Sequence, residues 1–290
     1  MSNLKGVGVA LVTPFNEDLS VDFDSLTKLV EYNIANGTNY LVVLGTTAEV
    51  ATLSAEEKKA VIQQIIKVNN KRLPLVLGIG GNDTMEVKRQ IEETDLSDFD
   101  AVLSVSPYYN RPSQEGLYQH YKMLAETGKQ IIIYNVPSRT GQNVEASTTL
   151  RLAKDFPNLF LIKEAAGNIN QYFDILRQKP EHFNLVSGDD EYTLPVTLAG
   201  GHGVISVIGQ GYPKEFSTMV QLAFDGKVNE AYNIHNKMVE ITRLIFAEGN
   251  PAGIKTILAE MGIVKNYVRL PLVVATEGLQ NKIKAEMAKI

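Results

Sequence analysis

The apolar run Leu159-Phe160-Leu161-Ile162 closes on Lys163, and its reading decides the fold. Four apolar residues in succession suit a strand covered on both faces, as in a parallel sheet flanked by helices. Side chains alternate along a strand, so Leu159, Leu161 and Lys163 share one face. An ammonium group at the end of a buried face is costly to desolvate, and burial favours the neutral amine. Only the neutral amine is a nucleophile, which makes Lys163 a candidate Schiff-base lysine. The bland alternative is a lysine that leaves its strand and carries its charge into water.

Working outward, seven further runs have the same character: residues 6–12, 40–44, 73–79, 101–105, 130–134, 183–186 and 203–207. They are rich in Val, Ile and Leu and bounded by Gly, Pro, Asn or Asp. Helical patterns fill the gaps, at 23–34, 84–93, 114–126, 146–154, 170–177, 191–198 and 213–223. Another opens at Ser54-Ala55-Glu56-Glu57, a capping box, with Ala60, Val61, Ile65 and Val68 at helical spacing. Eight strand–helix units predict an α/β fold, the TIM (β/α)8 barrel. A doubly wound sheet would carry fewer strands and an early phosphate-binding glycine turn. Beyond Phe224-Asp225-Gly226 only helical patterns remain, at 229–246, 251–261 and 272–288. The expected division is a catalytic barrel over 1–224 and a C-terminal helical extension over 225–290.

Composition narrows the chemistry. The 290 residues are 44% hydrophobic and 21% charged, with a net charge of −5 and no basic stripe. Nucleic acid is not an expected partner. The absence of cysteine removes disulfides, thiolate metal sites and cysteine nucleophiles. The four histidines, His120, His182, His202 and His235, have no metal-ligand spacing, so no metal is expected. The start MSNLKGVGVALVTPF does not read as a leader, and no apolar stretch approaches membrane-spanning length. A cytoplasmic protein without membrane contact is the expectation.

In such barrels the C-terminal strand ends carry the chemistry. Here they read Thr13-Pro14-Phe15, Gly45-Thr46-Thr47, Gly78-Ile79-Gly80-Gly81, Ser106-Pro107-Tyr108-Tyr109, Tyr134-Asn135, Lys163-Glu164, Ser187-Gly188-Asp189-Asp190 and Ile205-Ser206. Hydroxyls beside one lysine suit proton shuttling around a carbonyl, although capping is the ordinary role of any single one. Arg139 is the nearest strong cation. A guanidinium can hold a carboxylate through two parallel hydrogen bonds, or it can simply be a surface loop arginine. Gly78-Ile79-Gly80-Gly81 lacks the last glycine of a dinucleotide fingerprint, and Asp189-Asp190 alone is a poor cation site.

With these residues assembled, the chain resembles the dihydrodipicolinate synthase / N-acetylneuraminate lyase superfamily of class I aldolase-type enzymes over nearly its whole length. The motifs are Gly45-Thr46-Thr47-Ala48-Glu49, Pro107-Tyr108-Tyr109-Asn110-Arg111-Pro112, Tyr134-Asn135-Val136-Pro137-Ser138-Arg139-Thr140-Gly141, Ile162-Lys163-Glu164-Ala165 and Gly200-Gly201-His202-Gly203-Val204-Ile205-Ser206. Arg139 favours the synthase branch, because sialic-acid lyases typically lack an arginine there. The resemblance implies a condensation of pyruvate with L-aspartate 4-semialdehyde, on the route to lysine and diaminopimelate. Lys163 would form the imine, so no cofactor would be needed. Tyr134, Thr46 and Tyr109 would relay protons, with Tyr109 entering from a neighbouring subunit of a homotetramer built as a dimer of dimers. Thr47 and Ile205 would hold pyruvate, Gly188 would be a further substrate-binding residue, and Arg139 would bind the carboxylate of the second substrate.

The chain also departs from the pattern. The usual Gly-Thr-Thr-Gly-Glu-Ser reads Gly45-Thr46-Thr47-Ala48-Glu49-Val50. Ala48 would be strained if its position needs a positive φ. Val50, Ala55 and Lys58 replace residues associated with a lysine feedback site, where Asn82, Glu86 and Tyr108 still match. Two other readings stand beside the synthase. One is a pyruvate-dependent aldolase acting on a sugar acid, and the other a catalytically silent paralogue that binds a small acid.

Overall fold

The computed structural model describes residues 4–290. Residues 1–3, part of the stretch read as carrying no leader, lie outside the described residues. Eight strands, β1 (Gly6–Ala10), β2 (Tyr40–Val43), β3 (Leu75–Gly78), β4 (Ala101–Val105), β5 (Ile131–Asn135), β6 (Leu159–Glu164), β7 (Asn184–Ser187) and β8 (Gly203–Ser206), run in sequence order and close into a barrel. Each coincides with one of the eight apolar runs. Around and after them lie α1 (Phe23–Ala35), α2 (Ala55–Asn69), α3 (Thr84–Glu93), α4 (Gln114–Ala125), the single turn α5 (Pro137–Thr140), α6 (Ala146–Asp155), α7 (Ile169–Gln178), α8 (Thr193–Leu198), α9 (Pro213–Phe224), α10 (Val228–Phe246), α11 (Ala252–Glu260) and α12 (Glu277–Met287). No helix among the described residues is long and apolar enough to cross a membrane.

The chain forms two compact units, one centred on Pro74–Ile205, the other comprising Gly6–Leu73 and Ser206–Ile290. In the first, β5 presents Ile131, Ile132 and Ile133, all fully buried. Burying such a side chain stabilises by about 1.5–3 kcal/mol, so this triplet anchors the strand firmly. β5 and β6 pair in parallel with Tyr134 opposite Lys163 and Asn135 opposite Glu164. That register places the lysine and a tyrosine side by side on one face, and two polar residues on the other.

In the second unit α2 opens with the predicted capping box. Ser54 accepts from the Glu57 amide while the Glu57 carboxylate accepts from the Ser54 amide. Arg269 pairs with Glu57 at 2.5 Å and holds its carboxyl well down, at about 2. α11 packs closely on α10, because a Cβ at Gly253 would stand only 2.3 Å from the Ile245 carbonyl oxygen.

One helix departs from expectation. The pattern over 272–288 predicts a single helix, but α12 starts at Glu277. Thr276 caps it, accepting from the Leu279 amide, and both its own amide and hydroxyl donate to the Glu248 carboxylate. Leu270, Leu272, Val273 and Val274 are exposed apolar residues ahead of that cap, without helical structure.

Candidate active site

β6 delivers Lys163 into the first unit almost fully buried, at 5% exposure. Its Nζ lies 4.1 Å from the centroid of the Tyr134 ring. A ring face attracts an ammonium by about 0.5–2 kcal/mol, so the tyrosine holds the amine in place as well as standing beside it. Tyr134 is itself buried at 6% exposure, and its hydroxyl has no protein hydrogen-bond partner among the described residues. It is free to meet a substrate.

Gly188 follows β7 and closes over the lysine stem. An added Cβ there would lie 3.0 Å from Lys163 Cε, 2.7 Å from Ala165 Cβ and 3.1 Å from the Glu164 carbonyl oxygen. Close approach requires the glycine. Gly188→Ala should therefore displace the lysine stem by a few tenths of an ångström and slow imine formation roughly ten- to a hundredfold. Borohydride trapping with pyruvate measures this; labelling at the wild-type rate would show that the stem tolerates the methyl.

The other face of the β5–β6 ends carries a polar cluster that sequence reasoning did not assign. Glu164 is fully buried and accepts from Asn135 Nδ2 (3.0 Å), Gln171 Nε2 (2.9 Å) and the Ala166 amide (2.8 Å). Burial pushes its carboxyl up to about 7, against the donors. Every one of these contacts is a donor, so the cluster is built to hold the carboxylate. It ties β5 to β6 directly behind Tyr134 and Lys163. Beside it, Tyr172 reaches both the Glu164 carbonyl (2.5 Å) and Asp189 (2.9 Å). A single hydroxyl proton serves only one acceptor. Burial raises the Asp189 carboxyl, while the hydrogen bonds it accepts from Tyr172 and the Gly167 amide, and the Lys163 charge, oppose that shift. The signal available in the sequence was a glutamate on the back face of an apolar strand, where a buried polar group must find partners.

Ile205 sits fully buried in β8. Arg139 lies in α5, which Pro137 opens and Gly141 ends in a left-handed conformation. The arginine is exposed, and among the described residues no side chain pairs with its guanidinium. Tyr109 is 89% exposed, with a φ of 73°. Tyr108 is 42% exposed. The Asn82 carbonyl accepts from Asn110 Nδ2, and the Glu86 carboxylate is already engaged by Arg89 at 2.7 Å and Gln90 at 2.7 Å.

In the second unit, Thr46 and Thr47 form a 3-10 turn with Ala48. Thr46 is exposed and Thr47 buried. Ala48 does not have a positive φ; the left-handed positions are Leu44 and Glu49 on either side of the turn. The conditional strain on Ala48 therefore does not arise. Val50 starts a second 3-10 turn, Ala55 begins α2, and Lys58 lies one turn further along it.

An eight-stranded barrel with a buried lysine near the end of its sixth strand suits the aldolase-type lyase chemistry that the sequence resemblance implies. The chain belongs to the dihydrodipicolinate synthetase family, whose sequence pattern matches residues 3–290. It is 57% identical to the 4-hydroxy-tetrahydrodipicolinate synthase of Flavobacterium psychrophilum, over 96% of this chain and 95% of that one. The dihydrodipicolinate synthase of Thermotoga maritima superposes with a TM-score of 0.96 at 36% identity, covering 99% of this chain and 98% of that one. The chloride-inhibited dihydrodipicolinate synthase of Acinetobacter baumannii complexed with pyruvate gives 0.95 at 39% identity, with 99% and 98% covered.

Proposed function

We propose that the protein catalyses the reaction for which these relatives are named, joining pyruvate to L-aspartate 4-semialdehyde to give 4-hydroxy-tetrahydrodipicolinate. The observation that carries the chemistry is Lys163, buried at the end of β6 with its amine 4.1 Å from the Tyr134 ring. The neutral amine adds to the ketone carbon of pyruvate, and the carbinolamine loses water to leave an imine. The imine nitrogen then draws electrons from C3, which gives up a proton and becomes an enamine carbon. That carbon attacks the aldehyde, forming the new C–C bond. The amino group of the second substrate finally displaces Lys163 as the ring closes. The lysine itself is the electron sink, so the reading calls for no cofactor. Tyr134 supplies and removes the protons, with Thr46 and Tyr109 as further members of the relay.

Thr47, Ile205 and Gly188 are the pyruvate-binding residues in this reading. The exposure and positive φ of Tyr109 suit a side chain presented to a second copy, in a homotetramer assembled from dimers. The enzyme works in the cytoplasm. Turnover with pyruvate and aspartate semialdehyde, set against cleavage of sialic acid or 2-keto-3-deoxy-gluconate, tests the assignment. Activity on a sugar acid alone would replace it, and activity on none would leave a binding protein.

Arg139 holds the carboxylate of the second substrate, which suits an exposed guanidinium with no side-chain partner among the described residues. A charge-assisted hydrogen bond is worth about 1.5–3 kcal/mol, so Arg139→Ala should raise the KM for aspartate semialdehyde roughly ten- to a hundredfold. The KM for pyruvate should change little. Equal effects on both substrates would contradict the role.

Asn82, Glu86 and Tyr108 are the residues an inhibitory lysine would use. Val50 offers no hydrogen bond there, and Arg89 already occupies the Glu86 carboxylate. That ion pair is exposed and screened by solvent, so it competes weakly and the lost hydroxyl matters more. Lysine inhibition should be weak or absent; a sub-millimolar inhibition constant would overturn this.

A further inference from the structure

The turn carrying Thr46 and Thr47 is held from behind by the C-terminal extension, through Asn250 between α10 and α11 and Lys255 in α11. Asn250 Nδ2 donates to Thr47 Oγ1 at 2.9 Å, and both residues are buried, at 7% and 3% exposure. An amide nitrogen can only donate, so the threonine oxygen accepts there and its single hydroxyl proton stays unspent. Asn250 Oδ1 is buried without a partner among the described residues. The side chain is thus anchored through its donor.

Two residues along, Glu49 ends the turn with φ 55° and ψ 35°, a left-handed conformation that non-glycine residues seldom adopt. Its side chain is fixed on both oxygens. Oε1 accepts from Lys255 Nζ at 2.6 Å and Oε2 from the Arg269 amide at 2.9 Å. Lys255, in α11, is fully buried and also donates to the Tyr267 carbonyl at 2.8 Å. Burial pushes its ammonium down to about 8, and Glu49 opposes that shift. The Ala48 carbonyl accepts from Thr13 Oγ1 at 2.8 Å, which pins the turn between the two anchors.

We propose that Asn250 and Lys255 are positioning residues for the substrate-binding turn: Asn250 orients the Thr47 hydroxyl so that its proton is left for a carboxylate ligand, and Lys255 fixes the left-handed backbone at Glu49. This rests on the reading that Thr47 binds pyruvate. The C-terminal extension then acts on substrate affinity through two side chains, one in the α10–α11 connection and one in α11, beyond any part it plays in holding the chain together.

The polarity of Asn250 can be reversed without changing its shape. In Asn250→Asp, assayed on the alkaline side so that the buried carboxyl is ionised, the carboxylate only accepts, so it takes the Thr47 proton and leaves the hydroxyl oxygen facing the substrate. The KM for pyruvate should rise by roughly tenfold or more, the scale of losing one charge-assisted hydrogen bond, with kcat much less affected. Asn250→Ala leaves the hydroxyl free to turn, and its KM should rise less. A packing role predicts the reverse order, since the alanine variant leaves the cavity. A wild-type KM in Asn250→Asp, or a larger effect in Asn250→Ala, overturns the proposal for Asn250.

Lys255→Met keeps the stem, removes the charge and strands Glu49. Adding Glu49→Gln relieves the stranded charge. The double variant should recover thermal stability while its KM for pyruvate stays raised, and recovery of both would reduce Lys255 to a structural role. Should Lys255→Met fail to fold, the Asn250 pair alone decides. Borohydride trapping on wild type separates the two levels. A wild type that neither labels Lys163 nor turns over removes the proposed function and this inference together. A labelled, active wild type with an indifferent Asn250→Asp removes only the inference.

Discussion

Lys163→Arg should abolish turnover, with a loss on the order of 10⁴-fold or more, the scale seen when a covalent nucleophile is removed. The substitution keeps a positive charge near the Tyr134 ring, which lies 4.1 Å from the native amine. Arginine stays protonated at any working pH and cannot form the imine. The fold should survive, since guanidinium and ammonium both stack on aromatic faces, although the longer head must fit a site where Gly188 already approaches Lys163 Cε closely. Lys163→Met guards against that crowding, because it keeps most of the stem and removes the amine. Both variants should fail to take up a pyruvate-derived adduct under borohydride, whereas wild type should carry it on the peptide containing Lys163. An adduct on a different lysine, with Lys163 untouched, would sink the assignment.

The barrel was legible because its strands announce themselves. Each of the eight is apolar almost throughout, and short apolar runs between helical patterns fit few architectures besides a barrel. Lys163 stood out for the same reason, as a charge closing such a run. Less legible were elements whose signal is local chemistry. α5 is a single turn, too short for apolar periodicity to mark it, although Pro137 at its first position and a left-handed Gly141 at its end are helix signals in their own right. The start of α12 was misplaced because apolar residues at 270–274 extend its pattern backwards. The Thr276 cap and Glu248, 28 residues earlier in the chain, fix the start instead.

The supporting residues of the site were hidden for a different reason. Glu164 and Asn135 meet only because the β5–β6 register sets them opposite each other, and Gln171 reaches them from α7. Likewise Asn250 and Lys255 stand about 200 positions from the turn they contact, separations of 203 and 206 residues. Residue types along a chain carry no signal for such pairings. What the sequence does say is that a buried ionisable group must be paired or hydrogen-bonded: Lys255 pairs with Glu49, and Glu164 accepts from neutral donors.

Tyr134→Phe should lower turnover by roughly a hundredfold or more, the usual contribution of a positioned proton donor and acceptor. The variant is clean because the structure separates the two parts of the side chain. The ring face carries the contact with the Lys163 amine, and phenylalanine keeps that face. The hydroxyl has no protein hydrogen-bond partner among the described residues, so removing it strands no buried group. Stability should therefore change by less than about 1 kcal/mol. The amine should still be present and placed, so imine formation should slow rather than vanish, and prolonged borohydride treatment should still label Lys163. The loss should appear in kcat and kcat/KM together, because the proton transfer stabilises transition states rather than bound pyruvate. Single-turnover mixing with pyruvate would resolve the slowed dehydration step directly. Wild-type turnover in this variant would remove Tyr134 from the chemistry and leave it as the aromatic wall on which the lysine rests.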